Sequence, residues 1–118
     1  MANILDHLAQ EIYEGIVGRS ETRLDELTLL NVWKFFIECA MKEPKVDACV
    51  LQIKRKGDHF EVLQLMLNSR REPIIKKGDF AFGRSLQTYS IDDDLLDVMD
   101  GLEKRFFQLS ALKQNVQS

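Results

Sequence analysis

The sequence predicts an α+β domain with the element order ααββββα, in which a mainly antiparallel four-stranded sheet packs against helices. Two observations predict this fold. Residues 46–68 form two alternating apolar runs joined by a short polar turn, which is typical of a β-hairpin. The segments on either side carry apolar residues at helical spacing and begin with residues that cap helices.

The hairpin is predicted to form the centre of the sheet. Its turn contains Gly57 followed by Asp58, a pair that favours a tight connection because glycine accepts a positive φ. Both faces of the two runs are apolar near the middle, so helices, another sheet or a second copy of the protein must cover both. The apolar residues of the hairpin are Val46, Ala48, Cys49, Val50, Leu51, Ile53, Phe60, Val62, Leu63, Leu65, Met66 and Leu67.

Two helices are predicted before the hairpin. The first covers residues 3–18 and carries one apolar stripe. The second covers residues 24–41, with Ser20 or Thr22 as its cap and Pro44 as its stop. Apolar residues occupy most of its circumference beyond residue 29, which predicts a largely buried helix that lies across the sheet.

Two strands and one helix are predicted after the hairpin. The strands cover residues 73–76 and 80–89, with Gly83 as a bulge in the second. Ser90 is the expected cap of the last helix, and a single apolar stripe extends that helix from residue 91 to 109. Residues 1–112 are thus predicted to form one α+β domain, and residues 113–118 a frayed C-terminal tail.

Charge is unevenly distributed along the chain, whose net charge is −3. Residues 1–51 hold nine acids and five bases, residues 52–84 eight bases and four acids, and residues 85–118 six acids and three bases. The predicted sheet is therefore basic and the helical ends are acidic. No apolar run approaches the ~20 residues of a membrane span, and Cys39 and Cys49 are expected to be reduced, buried thiols. These features predict a cytoplasmic protein without a membrane segment.

Clustered basic residues suggest contact with phosphate groups or nucleic acid. The candidates are Lys54, Arg55 and Lys56 at the hairpin turn and Lys76 and Lys77 at a second turn. They converge on one rim only if the third strand continues antiparallel to the second, and phosphate binding needs such convergence. Phe80 and Phe82 could stack on bases but are more typical of a core, and the acidic net charge argues against nucleic acid.

The leading functional hypothesis is a small non-enzymatic protein-interaction module, such as an adaptor, regulator or chaperone-like protein. The apolar residues exceed what one small domain easily covers, and exposed apolar area usually marks an association site. A protein partner is therefore expected, most simply a second copy in a homodimer. The candidate partner surface comprises Trp33, Phe36, Leu96 and Phe107.

The other motifs in the sequence do not indicate a nucleotide-binding, metal-binding or catalytic site. Residues 78–85 have the spacing of a phosphate-binding loop, but their interior reads Phe-Ala-Phe, which is a strand pattern. His7 and Glu11 lack a third metal ligand, and Asp92, Asp93 and Asp94 are explained by the start of a helix. The sequence therefore predicts no catalytic residue, metal or cofactor, and a small enzyme without a recognisable motif remains the third hypothesis.

Overall fold

A computed structural model describes residues 23–76 and 80–110 of the chain. It confirms the α+β class but changes the number and order of the elements. Within these ranges the elements are β1 (Arg23–Leu27), α1 (Leu29–Lys42), β2 (Ala48–Lys56), β3 (His59–Leu67), β4 (Ile75–Lys76), β5 (Phe80–Ala81), β6 (Gly83–Ile91), α2 (Asp93–Met99) and β7 (Lys104–Gln108). The helix predicted over residues 3–18 and the tail 113–118 lie outside the described residues.

Within the described residues, the main sheet has five strands in the order β1-β6-β3-β2-β7. β1 pairs with β6 in parallel, whereas the other neighbouring strands pair antiparallel. The prediction of four strands was wrong because β1 and β7 come from segments whose apolar spacing resembles that of helices. β4 and β5 form a separate two-stranded ribbon.

The predicted hairpin is confirmed. β2 and β3 pair from Ala48 opposite Leu67 to Lys56 opposite His59, so Gly57 and Asp58 form a two-residue turn. Gly57 has a φ of 64°, which glycine adopts without the steric cost of a Cβ. The hairpin occupies the centre of the sheet, with β6 on one side and β7 on the other.

The segment 23–27 is a strand, although residues 24–41 were predicted to be one helix. Leu27 pairs with Ile91 of β6 and is fully buried. Thr28, rather than Ser20 or Thr22, caps α1, and its Oγ1 accepts a hydrogen bond from the Asn31 backbone N at 3.0 Å. The edge of β6 provides backbone partners for this segment, and such tertiary pairing outweighs a local helical pattern.

The segment 91–109 is also divided, into α2 and β7, although one helix was predicted there. Asp100 and Gly101 both adopt positive φ values, 52° and 74°, which end α2 after two turns. The chain then returns as β7 along the edge of β2. Ser90 lies within β6, and the cap of α2 is Asp92.

Asp92 connects the starts of both described helices. Its Oδ1 accepts a hydrogen bond from the Leu95 N of α2 at 2.9 Å and another from the Leu29 N of α1 at 3.2 Å. Its backbone N donates to the Leu27 carbonyl at the end of β1. One carboxylate thus satisfies exposed N–H groups of two helices, which fixes where α1 enters the face of the sheet.

The predicted strand 80–89 is interrupted at Phe82, which separates β5 from β6. At Gly83 an added Cβ would lie 2.2 Å from the Gln64 carbonyl oxygen, so glycine permits close approach of β6 to β3. Pro73 forms a bridge with Leu67, and β4 begins two residues later at Ile75.

Both faces of the hairpin are buried near its middle, as predicted. On one face, α1 and α2 pack against the sheet through Val32, Phe36, Cys39, Leu95 and Met99. The opposite face contains a second apolar cluster, with Ala81 and Phe106 packed against it. Its buried members are Ala48, Val50, Leu63, Leu65 and Leu67.

Candidate functional site

An apolar stripe runs along the solvent-facing side of α1. It consists of Leu30, Ile37 and Met41, which we call the α1 stripe. Leu30 is 77% exposed, Met41 81% and Ile37 36%. At 100° per residue these side chains lie within about 40° of one another around the helix axis and extend over ~16 Å. The stripe is therefore a narrow line of exposed apolar groups along one side of the helix.

The fold places this stripe outward because the opposite side of α1 is fixed in the core. Val32 and Phe36 are fully buried and Cys39 is 4% exposed. These residues lie about 180° around the helix from the stripe. Since α1 cannot rotate without removing them from the core, the stripe stays in solvent.

Charged side chains flank the α1 stripe on one side. Lys34, Glu38 and Lys42 are exposed and follow one another at intervals of one helical turn. Lys34 lies closest to the stripe and divides its apolar residues into Leu30 on one side and Ile37 with Met41 on the other. The exposed side of α1 thus combines an apolar line with alternating charge, a pattern suited to packing against another helix.

The residues predicted as a partner surface divide into two groups. Phe36 is fully buried and Phe107 is 4% exposed, so both belong to the core. Trp33 stacks on Phe36 at 5.7 Å and meets Phe107 edge-on at 5.2 Å between ring centroids, which places it at the margin of the same aromatic cluster. Only Leu96, on α2, is substantially exposed, at 51%.

The residues of the α1 stripe did have a signal in the sequence. The segment 29–37 is apolar nearly all round a helix, and a helix on one face of a sheet buries only part of its circumference. The sequence could not specify which part stays exposed, because that depends on where α1 enters the sheet.

The predicted basic rim does not form between its described members. Lys54, Arg55 and Lys56 lie at the turn end of the hairpin. Lys76 follows the bridge between Pro73 and Leu67 at the opposite end of β3, and Lys77 lies outside the described residues. A strand has only two edges, and those of β3 are taken by β2 and β6, so residues 75–76 cannot continue along it.

The turn end of the hairpin also carries compensating charge. Lys54 lies directly across from Glu61, and the Arg55 guanidinium lies 5.8 Å from the centre of the Phe60 ring. The Asp58 carboxylate contacts the His59 Nδ1 at 3.1 Å, and this hydrogen bond lowers the pKa of Asp58. The arrangement does not favour a shared phosphate-binding rim.

Arg70 and Arg71 are exposed in a compact turn at the other end of the hairpin. The Asn68 Oδ1 accepts hydrogen bonds from the backbone N of Arg70 and of Glu72 at 2.9 and 3.0 Å. Arg71 has a φ of 61°, and its guanidinium lies 4.7 Å from the centre of the Phe106 ring. This cation–π contact holds the guanidinium of the exposed Arg71 against Phe106 of β7.

A polar cluster lies between α1 and the sheet and was not anticipated from the sequence. Gln64 on β3 is fully buried, and its Nε2 donates to the Val32 carbonyl at 3.0 Å. Arg84 on β6 donates through Nε to the Gln64 Oε1 at 3.0 Å and through Nη2 to the Asn31 Oδ1 at 2.7 Å. The guanidinium also stacks over Phe35 at 4.3 Å.

This polar cluster is better explained as a support for α1 than as a catalytic or binding site. Burial lowers the pKa of Arg84, and the nearby thiols of Cys39 and Cys49 partly offset that shift. The hydrogen bonds tie two neighbouring strands to the start of α1, so they fix the position of the helix on the sheet. They thereby also fix the direction in which the α1 stripe points.

Cys39 and Cys49 are both buried thiols, as expected. Burial raises the pKa of the Cys49 thiol to about 12, and the contact with Gln64 opposes that shift. A thiol that keeps its proton at neutral pH is a poor nucleophile. Cys49 is therefore a core residue rather than a reactive group.

The remaining motifs noted in the sequence form parts of strands, helix caps and the core. Gly83, Arg84 and Ser85 lie in β6, not in a loop that leads into a helix, and Phe82 packs against the core. Asp92 caps two helices, as described above. Across residues 23–76 and 80–110, no group of three or more His, Cys, Asp or Glu side chains could hold a metal ion.

Neither helix in the described part of the chain has the length and apolar character that a membrane span requires. No protein-family model, curated protein or solved structure matches this chain.

Proposed function

We propose that this protein is a non-enzymatic, cytosolic interaction module that binds a protein partner through the α1 stripe. The observation that carries the proposal is the exposure of Leu30 and Met41, at 77% and 81%, on a helix whose other side is fixed in the core. Burying a large apolar side chain yields about 1.5–3 kcal/mol. A partner that covers the stripe would gain this free energy at little cost in protein rearrangement.

Two further features support this function. The stripe lies on a regular helix that is held at its start by Thr28 and Asp92, so its side chains are already arranged for binding. The two buried thiols accord with a reducing compartment. A small adaptor or chaperone-like module would use such a preformed apolar line to recognise a helix of its partner.

The test replaces the two most exposed residues of the stripe by glutamine, as the double variant Leu30→Gln with Met41→Gln. Because both side chains lie in solvent, the free energy of unfolding should change by less than about 1 kcal/mol. The matched control is Leu102→Gln, since Leu102 is 53% exposed but lies outside α1.

Wild type, double variant and control serve as tagged baits in cell extract that also contains untagged copies of the chain, and retained proteins are quantified by mass spectrometry. We expect a set of proteins, or the chain itself, to be retained by wild type and control and at least tenfold less by the double variant. Equal retention on all three baits would exclude the stripe as the binding surface.

A further inference from the structure

The α1 stripe has a spacing that reads the same in both directions along the helix. Its exposed residues, with Lys34 included, are 30, 34, 37 and 41, which are separated by four, three and four residues. Alternating steps of three and four residues are those of a helix–helix seam. Reversal of the helix exchanges Leu30 with Met41 and Lys34 with Ile37. A line with this symmetry can pack against a reversed copy of itself without a change of register.

We propose that the partner of the α1 stripe is a second copy of this chain, with the two α1 helices packed antiparallel about a two-fold axis between residues 35 and 36. This inference rests on the proposed interaction function. In such an isologous contact Leu30 of each protomer meets Met41 of its partner, and Lys34 meets Ile37. The methylene stem of Lys34 covers Ile37, and its ammonium group extends to the edge of the contact.

The charges beside the stripe complement one another in this arrangement and not in the parallel one. In the antiparallel pair Lys34 lies within about 1.5 Å, along the axis, of Glu38 of its partner. The two-fold axis makes this ion pair twice. In a parallel pair the two-fold axis runs along the helices and puts the charged flanks of the two copies on opposite sides of the contact, so Lys34 and Glu38 of different protomers do not meet. Charge therefore selects the antiparallel orientation.

The contact between two α1 helices is small. α1 has 14 residues, so it is about 21 Å long and one helix face is the whole seam. Contacts of this size fall below the ~1,200 Å² of stable complexes and belong to the transient class. The dimer should accordingly be in exchange with the monomer at micromolar or higher concentrations.

Sedimentation velocity on the full chain over a range of concentrations, together with two charge variants, tests this arrangement. Lys34→Glu and Glu38→Lys each place like charges across the axis, so each alone should dimerise at least about five-fold more weakly than wild type. Mixing the two variants restores opposite charges at both positions and should restore dimerisation. Each variant keeps the same like-charged pair within its own helix after mixing, so recovery reports only the contact between protomers.

Crosslinking distinguishes the two orientations. Leu30→Cys mixed with Met41→Cys should give a covalent dimer with a short bismaleimide. Leu30→Cys alone should give none, because the two copies of position 30 would lie ~16 Å apart in the antiparallel pair. The native thiols are buried and give no competing product.

The outcomes separate this inference from the proposed function. A chain that remains monomeric at millimolar concentration, or dimerises without recovery on mixing, overturns the antiparallel pair. If the Leu30→Gln, Met41→Gln variant retains less of some protein other than this chain in the bait experiment, the interaction function stands with another partner. If no variant affects retention, both proposals fail.

Discussion

Gln64 and Arg84 provide the sharpest test of how the sheet positions α1. Gln64→Leu places an apolar side chain in the core instead of the polar glutamine. It removes the acceptor of the Arg84 Nε and the donor to the Val32 carbonyl. A buried donor that loses its partner costs about 1–3 kcal/mol, and more when it is charged. With the second hydrogen bond lost as well, we expect the free energy of unfolding to fall by about 2–4 kcal/mol.

The double variant Gln64→Leu with Arg84→Met distinguishes the hydrogen-bond network from simple packing. Arg84→Met alone leaves the Gln64 Oε1 without its donor and should cost about 1–3 kcal/mol. When both residues are replaced by apolar ones, neither the Arg84 guanidinium nor the Gln64 amide remains to lack the other as its partner. The loss of stability in the double variant should therefore be smaller than the sum of the two single losses by about 1–3 kcal/mol. Urea unfolding followed by circular dichroism measures all four proteins of the cycle.

Gln87→Leu, also on β6 but outside the polar cluster, is the control and should change stability by less than about 1 kcal/mol. A loss of stability in Gln64→Leu no greater than that in this control, or two single losses that add to within about 0.5 kcal/mol, would contradict the predicted coupling. Either result would mean that the hydrogen bonds do not hold α1 on the sheet.

Two further predictions concern a cap and a thiol. Asp92→Ala removes the acceptor for the starts of two helices, so it should lower the free energy of unfolding by about 1–3 kcal/mol. The control Asp93→Ala, at an exposed position in the first turn of α2, should lower it by less than about 1 kcal/mol. Equal effects of the two variants in thermal unfolding would contradict the shared cap. Burial holds the pKa of Cys49 at about 12 against 9.0 for an ordinary thiol, so the unfolded chain releases this proton first and stability is lost as pH rises between these values. Compared with Cys49→Ala, the wild type should lose about 1.4 kcal/mol per pH unit above 9 in urea unfolding, and a difference that is independent of pH would refute this.

The assignment of elements shows where local pattern is informative. The hairpin was predicted correctly because two chemical signals, alternation of apolar residues and Gly57-Asp58, act over short distances. The strands β1 and β7 were missed because the apolar residues of their segments follow helical spacing, and only the open edges of β6 and β2 select the extended form. Because these two strands were taken for helix, the predicted bounds of both described helices were wrong as well.

The candidate surface was anticipated in kind but not in place. An excess of apolar residues predicted an association site, and two of its four predicted residues, Trp33 and Phe36, lie on α1. Trp33, Phe36 and Phe107 were expected to contribute but form or border the aromatic core, whereas Leu30, Ile37 and Met41 are exposed. Since α1 is apolar nearly all round, its exposed side depends on the contacts that orient it.

By itself, the sequence determined the α+β class, the central hairpin with two buried faces and the two buried thiols, because alternation, turn chemistry and hydrophobicity act between near neighbours. Only the tertiary structure decided strand order, the separation of the basic residues, the polar cluster of Gln64 and Arg84, and the outward direction of the α1 stripe. These depend on pairs such as Leu29 with Asp92 and Asn31 with Arg84, which lie 63 and 53 residues apart along the chain. Contacts over such distances form only when the whole sheet is assembled, so no local pattern records them.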